Sequence, residues 1–338
     1  MTIGVGVVGY GYWGPNMLRN VANTDGLLPV AVCEIREERA RLATRSYPSV
    51  VTTSHYRELL QNPEVRAVVI VTGLDSHYEI ARAALLAGKH VLVGKPMTTS
   101  VKEAEELCSL AKQQGLVLMV DHTFLFTGAV QKIKQLVSSG EIGDLLYFDS
   151  VRVNLGLIRS DHNVLWDLAP HDLSILLYVL GDRPTAVSAI GACHVRHTNK
   201  DLATMAYLTL KMPCGVLSHI HVNWLSPVKV RRTLIGGTKR MIVYDDLEPD
   251  EKVKVYDKGI EIASGGAVYD ILVQYRTGDV HIPKLASEEG LRSEMGHFRD
   301  CILNGSEPRT SGEHGLEVVR ILAAADASLA RDGELVRL

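Results

Sequence analysis

The strongest constraint on the fold is a short glycine-spaced turn. Ile3–Val8 is a run of β-branched residues and glycine with no polar side chain, and Gly9-Tyr10-Gly11-Tyr12-Trp13-Gly14 follows it directly. Asn16–Val21 then reads as a helix. In a strand, G-x-G-x-x-G turn and helix in this order, each glycine has a different task. The first permits the tight turn, the second lets a ligand approach the backbone, and the third lets helix and strand pack closely.

The same rhythm continues to about residue 120. Pro29–Cys33, Ala67–Val71, His90–Val93 and Leu116–Val120 read as buried parallel strands, with helical stretches at Glu37–Ser46, His77–Leu86 and Val101–Gln114. This alternation predicts a doubly wound α/β sheet of the Rossmann type. Past Asp121 the pattern changes. A helix near Thr127–Ser139, an extended run Leu145–Leu155 and a helix at about Leu168–Leu180 precede five alternating runs: Thr185–Cys193, Leu202–Lys211, Val216–Trp224, Val228–Ile235 and Arg240–Tyr244. Strands that follow one another without helices predict an antiparallel or mixed sheet. Residues 264–283 have little periodicity and read as loop. Helices near Glu288–Leu303 and Glu313–Ala330 close the chain. The 338 residues therefore divide into a Rossmann domain, 1–121, and an α+β domain, 122–338, with a large, mostly antiparallel open sheet.

Charge and composition remove several function classes. Lys plus Arg number 36 against 39 Asp plus Glu, which gives no basic footprint for nucleic acid. No apolar run approaches the roughly 18 residues of a membrane span. The strand-like run from Thr2 leaves no room for a secretory leader. Cys33, Cys108, Cys193, Cys214 and Cys301 are scattered and never form C-x-x-C, which argues for a reducing, cytoplasmic setting without disulfides or zinc. His219 and His221 alternate on one strand face, and no third metal ligand is evident.

The glycine turn points to a dinucleotide whose pyrophosphate faces the helix N-terminus. Glu34 ends the second strand; a carboxylate there accepts bonds from ribose hydroxyls and repels a 2′-phosphate, which favours NAD. Arg36 keeps NADP open as the alternative, because a guanidinium receives such a phosphate.

Chemistry in an open α/β sheet belongs at the carboxyl ends of its strands. Lys95-Pro96 stands there, though a loop lysine in solvent is the plain alternative. Asp167 and His171 are four apart and share a helix face. Pro170 fits only a first helical turn, so Asp167 is expected at or near the N-cap. His171 is then either a surface imidazole or a general base suited to an alcohol proton.

Taken in order, Gly9–Asn16, the His77 helix, Lys95-Pro96, Asp167-x-x-x-His171 and Glu294-x-x-His297-Phe298 resemble the glucose–fructose oxidoreductase, inositol dehydrogenase and MocA (Gfo/Idh/MocA) family over essentially the whole chain. The resemblance implies catalytic Lys95, Asp167 and His171, and a cis Lys95–Pro96 peptide. It implies NAD contacts from Gly9, Gly11, Tyr12, Trp13, Gly14, Glu34, Thr72, His77 and Lys95. His171 would exchange the hydroxyl proton, Lys95 would stabilise the oxygen, and Asp167 would orient His171 or grip a neighbouring hydroxyl. The family usually carries Glu before Lys-Pro; here the residue is Gly94.

Arg152, Asn154 and Asn163, with Arg159 and His162, lead to Asp167 and are polar enough to line a hydroxyl-rich pocket, or else lie on solvated loops. Lys229, Arg231, Arg232, Lys239 and Arg240 form a basic cluster that could meet a diphosphate or a subunit face. Val151–His171 together with Trp224–Arg231 resembles members acting on nucleotide-linked sugars, of the UDP-N-acetylhexosamine 3-dehydrogenase type. Free-sugar or cyclitol dehydrogenation and non-catalytic NAD/sugar sensing are the alternatives. The resemblance also implies a homodimer or homotetramer, with a small sugar as partner and neither nucleic acid nor membrane.

Overall fold

The computed structural model describes residues 2–196, 201–213, 215–262 and 273–338. Cys214, and residues 264–272 of the stretch read as loop, lie outside the described residues. The element order begins β1 (Ile3–Val8), α1 (Gly14–Ala22), β2 (Leu27–Cys33), α2 (Glu37–Ser46), β3 (Val51–Thr53), α3 (Tyr56–Gln61), β4 (Ala67–Ile70), α4 (His77–Leu86), β5 (His90–Val93), α5 (Val101–Gln114) and β6 (Leu118–Val120). It continues with α6 (Gly128–Ser138), β7 (Leu145–Leu155), α7 (Val164–Leu180), β8 (Ala186–Ala192), β9 (Met205–Lys211), β10 (Leu217–Asn223), β11 (Leu225–Gly237), β12 (Met241–Asp245) and β13 (Val253–Tyr256). β14 (Gly259–Ile262), β15 (Val273–Arg276), β16 (Val280–His281), α8 (Gly290–Asn304), α9 (Gly312–Leu329) and β17 (Val336–Arg337) complete it.

The first sheet is parallel in the order β3-β2-β1-β4-β5-β6. Every residue of β1 and β4 is buried, as expected of central parallel strands covered by helices on both faces. The strand order reverses at β1/β4, which opens a crevice beyond their carboxyl ends. β3 and α3 went unanticipated because three and six residues are too few to show a period. α2, α4 and α5 fall where the sequence places them; Gly115 closes α5 at φ +64°, and Ser100 caps its start by accepting the Glu103 N–H.

The second sheet has nine strands in the order β16-β13-β12-β11-β7-β10-β9-β8-β17, and only β7 and β10 pair in parallel. Burial alternates along β9 and β10, and α7 packs against β7, β9 and β10. One face is thus a core under helix. The other shows Ile190, Tyr207 and Leu217 to solvent, with the His219 and His221 rings stacked on Tyr207. β15 and β16 correct the loop expected for residues 273–276 and 280–281.

The chain forms two compact units, and the boundary is not a single cut after Asp121. Met1–Thr127 joins Glu288–Ala323, and Gly128–Ser287 joins Ala324–Leu338. The Thr310 carbonyl accepts the Val120 N–H, Ser311 bridges to Met119, and α8 packs on α1. Arg19 clasps Glu289 through two bonds of 2.9 and 2.7 Å. These pairings return α8 and most of α9 to the first sheet from more than 150 residues away, beyond the reach of any local periodicity. Among the described residues no helix is long and apolar enough to cross a membrane.

α7 brings another correction. It begins at Val164 rather than Leu168, with Asn163 as N-cap accepting the Leu165 N–H at 3.0 Å. Asp167 is therefore inside the helix, and so is Pro170. Proline there forfeits the bond to the Trp166 carbonyl. Burial of most of the helix, including Leu165, Trp166, Leu173, Leu176 and Val179, outweighs that loss.

Candidate active site

The glycine turn of the first unit is shaped for close approach. Gly9 has φ +97°, and a Cβ there would lie 2.8 Å from the Val71 carbonyl oxygen; at Gly14 a Cβ would lie 2.5 Å from the Gly9 carbonyl oxygen. Both sites demand glycine. Gly11 differs, because a Cβ there would meet only the Arg36 guanidinium, at 3.7 Å. Above it the backbone is open. α1 starts with Trp13 at its N-cap and no side-chain bond closing that end; Pro15 brings no N–H and the Asn16 N–H reaches the Trp13 carbonyl at 3.0 Å, so what this end offers an anion is chiefly the positive end of the helix dipole.

Glu34 at the end of β2 is 6% exposed. One oxygen accepts the Tyr10 N–H at 2.8 Å; the other accepts Arg36 N at 3.0 Å and Nε at 3.2 Å. Burial alone would raise its pKa. The N–H groups of Arg36 and Tyr10, and the Arg36 guanidinium, outweigh burial and hold the carboxyl below its usual range. Glu34 thus braces the glycine turn and keeps a charged carboxylate at the end of β2. Tyr12 is 90% exposed and stacks on Trp13 with centroids 6.1 Å apart. An open glycine turn, an uncapped helix end and a charged carboxylate fit a dinucleotide.

Beyond β4, the Thr72 carbonyl faces His77 Nε2 at 3.2 Å, and the Pro96 carbonyl faces Nδ1 at 2.9 Å. The Lys95–Pro96 peptide is cis. His77 is buried and ties the loop after β4 to the loop after β5. Burial, helped by the Lys95 charge, lowers its pKa against the pull of the two carbonyls, so the ring is neutral. A Cβ at Gly94 would lie 3.1 Å from His77 Cε1 and 3.3 Å from Nε2. The imidazole fills the room a side chain before Lys95 would need, which is the local reason for glycine there.

In the second unit, Asp167 Oδ2 accepts the Trp224 indole N–H at 2.9 Å, and Trp224 is fully buried. His171 follows one turn along α7 on the same face. Asn154 lies near Trp224, its Nδ2 3.3 Å from where a Gly156 Cβ would stand. Arg152 corrects the expectation of a pocket-lining guanidinium. It is 3% exposed and binds Asp172 through Nε at 2.6 Å and Nη2 at 3.2 Å, while Ser150 donates to the same carboxylate at 2.7 Å. Asn163 caps α7 and donates to Asp326 at 2.7 Å, so its side chain serves the fold. Much of the basic cluster is neutralised as well: Arg231 pairs with Asp246, Arg232 with Asp245, and Arg240 with Glu141 and Asp257.

Residues 3–122 match the oxidoreductase family with an NAD-binding Rossmann fold, and residues 130–243 match the GFO/IDH/MocA C-terminal domain. The chain belongs to the Gfo/Idh/MocA oxidoreductase family. It is an NAD(P)-dependent oxidoreductase, and its first unit is the NAD-binding domain. The UDP-N-acetylglucosamine 3-dehydrogenase of Acidithiobacillus ferrooxidans is 29% identical over 95% of this chain and 94% of its own. The NADP-dependent scyllo-inositol 2-dehydrogenase of Bacillus subtilis is 26% identical over 96% and 93%. Among solved structures, UDP-N-acetylglucosamine 3-dehydrogenase GnnA from Acidithiobacillus ferrooxidans superposes with a TM-score of 0.80 at 25% identity, covering 97% and 99%. Known members of this Gfo/Idh/MocA family thus include dehydrogenases of both a nucleotide-linked sugar and a cyclitol.

Sequence reasoning missed a buried cluster in the first unit: Asp121, His122, Glu294 and His314. One signal was present. Leu291, Met295 and Phe298 mark the buried face of α8, and Glu294 sits among them at helical spacing.

Proposed function

We propose that this protein oxidises a secondary alcohol on a pyranose ring to a ketone, or runs the reverse, with NAD and a nucleotide-linked sugar such as UDP-N-acetylglucosamine. The observation that carries the chemistry is the anchored acid–base pair on α7: a buried indole holds Asp167, and His171 stands one turn further on. NAD supplies the nicotinamide that exchanges hydride with the substrate carbon. His171 takes the hydroxyl proton, or returns it in the reducing direction. Lys95 donates to the substrate oxygen and stabilises its developing charge. Asp167, fixed by Trp224, accepts a neighbouring hydroxyl. Glu34 reads the adenosine ribose, and Gly9, Gly11, Trp13 and Gly14 shape the pyrophosphate site, with Tyr12 and Thr72 beside it. A cytoplasmic homodimer or homotetramer completes this reading.

The nucleotide-sugar assignment rests on the full-length likeness to the UDP-N-acetylglucosamine 3-dehydrogenase. A second reading, a free sugar or cyclitol such as inositol, is favoured by the pairing of Arg231, Arg232 and Arg240 with carboxylates, which leaves those guanidiniums committed. NAD reduction by the purified protein, given UDP-N-acetylglucosamine or myo-inositol with a carbonyl trap, separates the two. Turnover with the nucleotide sugar alone supports the first reading and turnover with inositol alone the second. Silence with both, alongside measurable NAD binding, sinks both. His171→Asn should lower turnover by about 100-fold or more while NAD affinity holds; retained turnover would assign the proton to another group.

A further inference from the structure

The buried cluster of the first unit begins at the end of β6, the strand beside the one that leads to Lys95. β5 and β6 run parallel with Val93 opposite Val120, and the Asp121 N–H donates to the Val93 carbonyl at 2.8 Å. Asp121 and His122 therefore leave β6 at the level where Gly94 and Lys95 leave β5. Gly94 brings no charge, and Asp121 is the carboxylate that follows the neighbouring strand directly.

The Asp121 carboxylate is held from several sides. Trp13 Nε1 donates to Oδ2 at 3.3 Å and the Thr123 hydroxyl donates to Oδ1. The carboxyl of Glu294, fully buried on α8, lies close enough to interact with it electrostatically, and the Thr123 hydroxyl is 3.4 Å from Glu294 Oε2. Two adjacent buried carboxyls do not both ionise. Burial and the Asp121 charge raise the Glu294 pKa well above the usual range, so Glu294 holds a proton. The other facing groups are His77 from α4, His122 from the end of β6 and His314 from α9. Burial, with His314 and Lys95 adding to it, drives His122 well below its ordinary value, and burial lowers His314 to about 4. All three imidazoles are neutral. His77 responds to both charges, Lys95 lowering its pKa and Asp121 raising it.

We propose that Asp121 is a positioning residue for Lys95: its carboxylate, held by Trp13 and Thr123 where β6 ends beside β5, is the counter-ion that holds Lys95 as an ammonium. Through Trp13 the same carboxylate is tied to the dinucleotide turn. The proposal rests on the role given to Lys95 above, but its test does not require turnover.

The measurement is the titration of Lys95 Nζ by NMR on ¹⁵N-lysine-labelled full-length protein, with and without NAD, the signal assigned by its loss in Lys95→Arg. Removing a neighbouring anion makes an ammonium easier to deprotonate. Asp121→Asn should therefore lower the Lys95 midpoint by about one pH unit, and the alkaline limb of kcat/KM should move down with it. Glu294→Gln, which keeps a neutral group beside Asp121, should leave the midpoint nearly where it was. A merely structural role for Asp121 would reduce stability or kcat without moving either titration. Should Asp121→Asn fail to fold, the reciprocal experiment uses Lys95→Met: by linkage, the Asp121 carboxyl, followed by ¹³C NMR, should become easier to protonate by a similar amount. A Lys95 midpoint unmoved in Asp121→Asn, an Asp121 midpoint unmoved in Lys95→Met, or a full shift in Glu294→Gln overturns the proposal. Shifted midpoints without turnover on either sugar leave the pairing standing and remove the substrate reading instead.

Discussion

Two arginine–carboxylate pairs in this chain are alike in chemistry and differ in what surrounds them. Arg36–Glu34 lies at the carboxyl end of β2 with the guanidinium half exposed and the carboxylate buried. Arg152–Asp172 joins β7 to α7 with side chains only 3% and 2% exposed. The first has one open side, toward Gly11 and the dinucleotide turn. The second is closed within the core, and Ser150 occupies part of the same carboxylate. A charged pair with an open side can read a ligand; a closed one holds two elements together. The difference is set by burial, not by residue type.

Breaking the closed pair should have the largest effect. Asp172→Ala leaves a buried guanidinium without its anion and should destabilise the fold by about 3–5 kcal/mol in urea unfolding. A loss below about 1 kcal/mol would mean Arg152 finds water or another partner, and would reopen it as a ligand group. At the open pair, Glu34→Ala should weaken NAD about tenfold or more and NADP by less, because only NAD loses its ribose acceptor. Equal losses would restrict Glu34 to bracing Tyr10. A smaller effect is expected from Arg36→Ala: stability should change by less than about 1 kcal/mol, since the pair is half exposed, while the preference for NAD over NADP should rise.

The buried imidazoles sharpen the same contrast through pH. His77, His122 and His314 are neutral in the fold, with pKa values lowered chiefly by burial. The unfolded chain therefore binds more protons below about pH 6.5, and stability should fall as pH drops through that value. For His314 the window runs from about 6.5 down to about 4. Thermal unfolding followed from pH 7 to 4 should be less steep in His314→Asn than in wild type. An equal slope would show that the ring is already protonated in the fold.

Where sequence reasoning succeeded, the signal was local. Gly9 and Gly14 each have the conformational or steric role that the turn requires, and the α2, α4 and α5 boundaries follow from periodicity and caps. Where it went astray, distant contacts decided. Pro170 argued for a helix start that burial of α7 overrode. Arg152 reads as a polar pocket residue until Asp172, twenty positions on, is seen to hold it. The basic cluster on β11 and β12 loses its free charge to acids on neighbouring elements. Asp121 and Glu294 lie 173 positions apart, and nothing in their spacing announces that they interact.

The sequence by itself determined the dinucleotide turn, the alternation of the first sheet and the helical pairing of Asp167 with His171, because each depends on residues within one or two turns of each other. Tertiary structure alone decided which charges are spent within the fold and which face a ligand. It also returned α8 to the NAD-binding unit and brought Glu294 against Asp121. Burial and electrostatic coupling depend on what packs around a side chain, and in this chain those neighbours come from elements far apart in sequence.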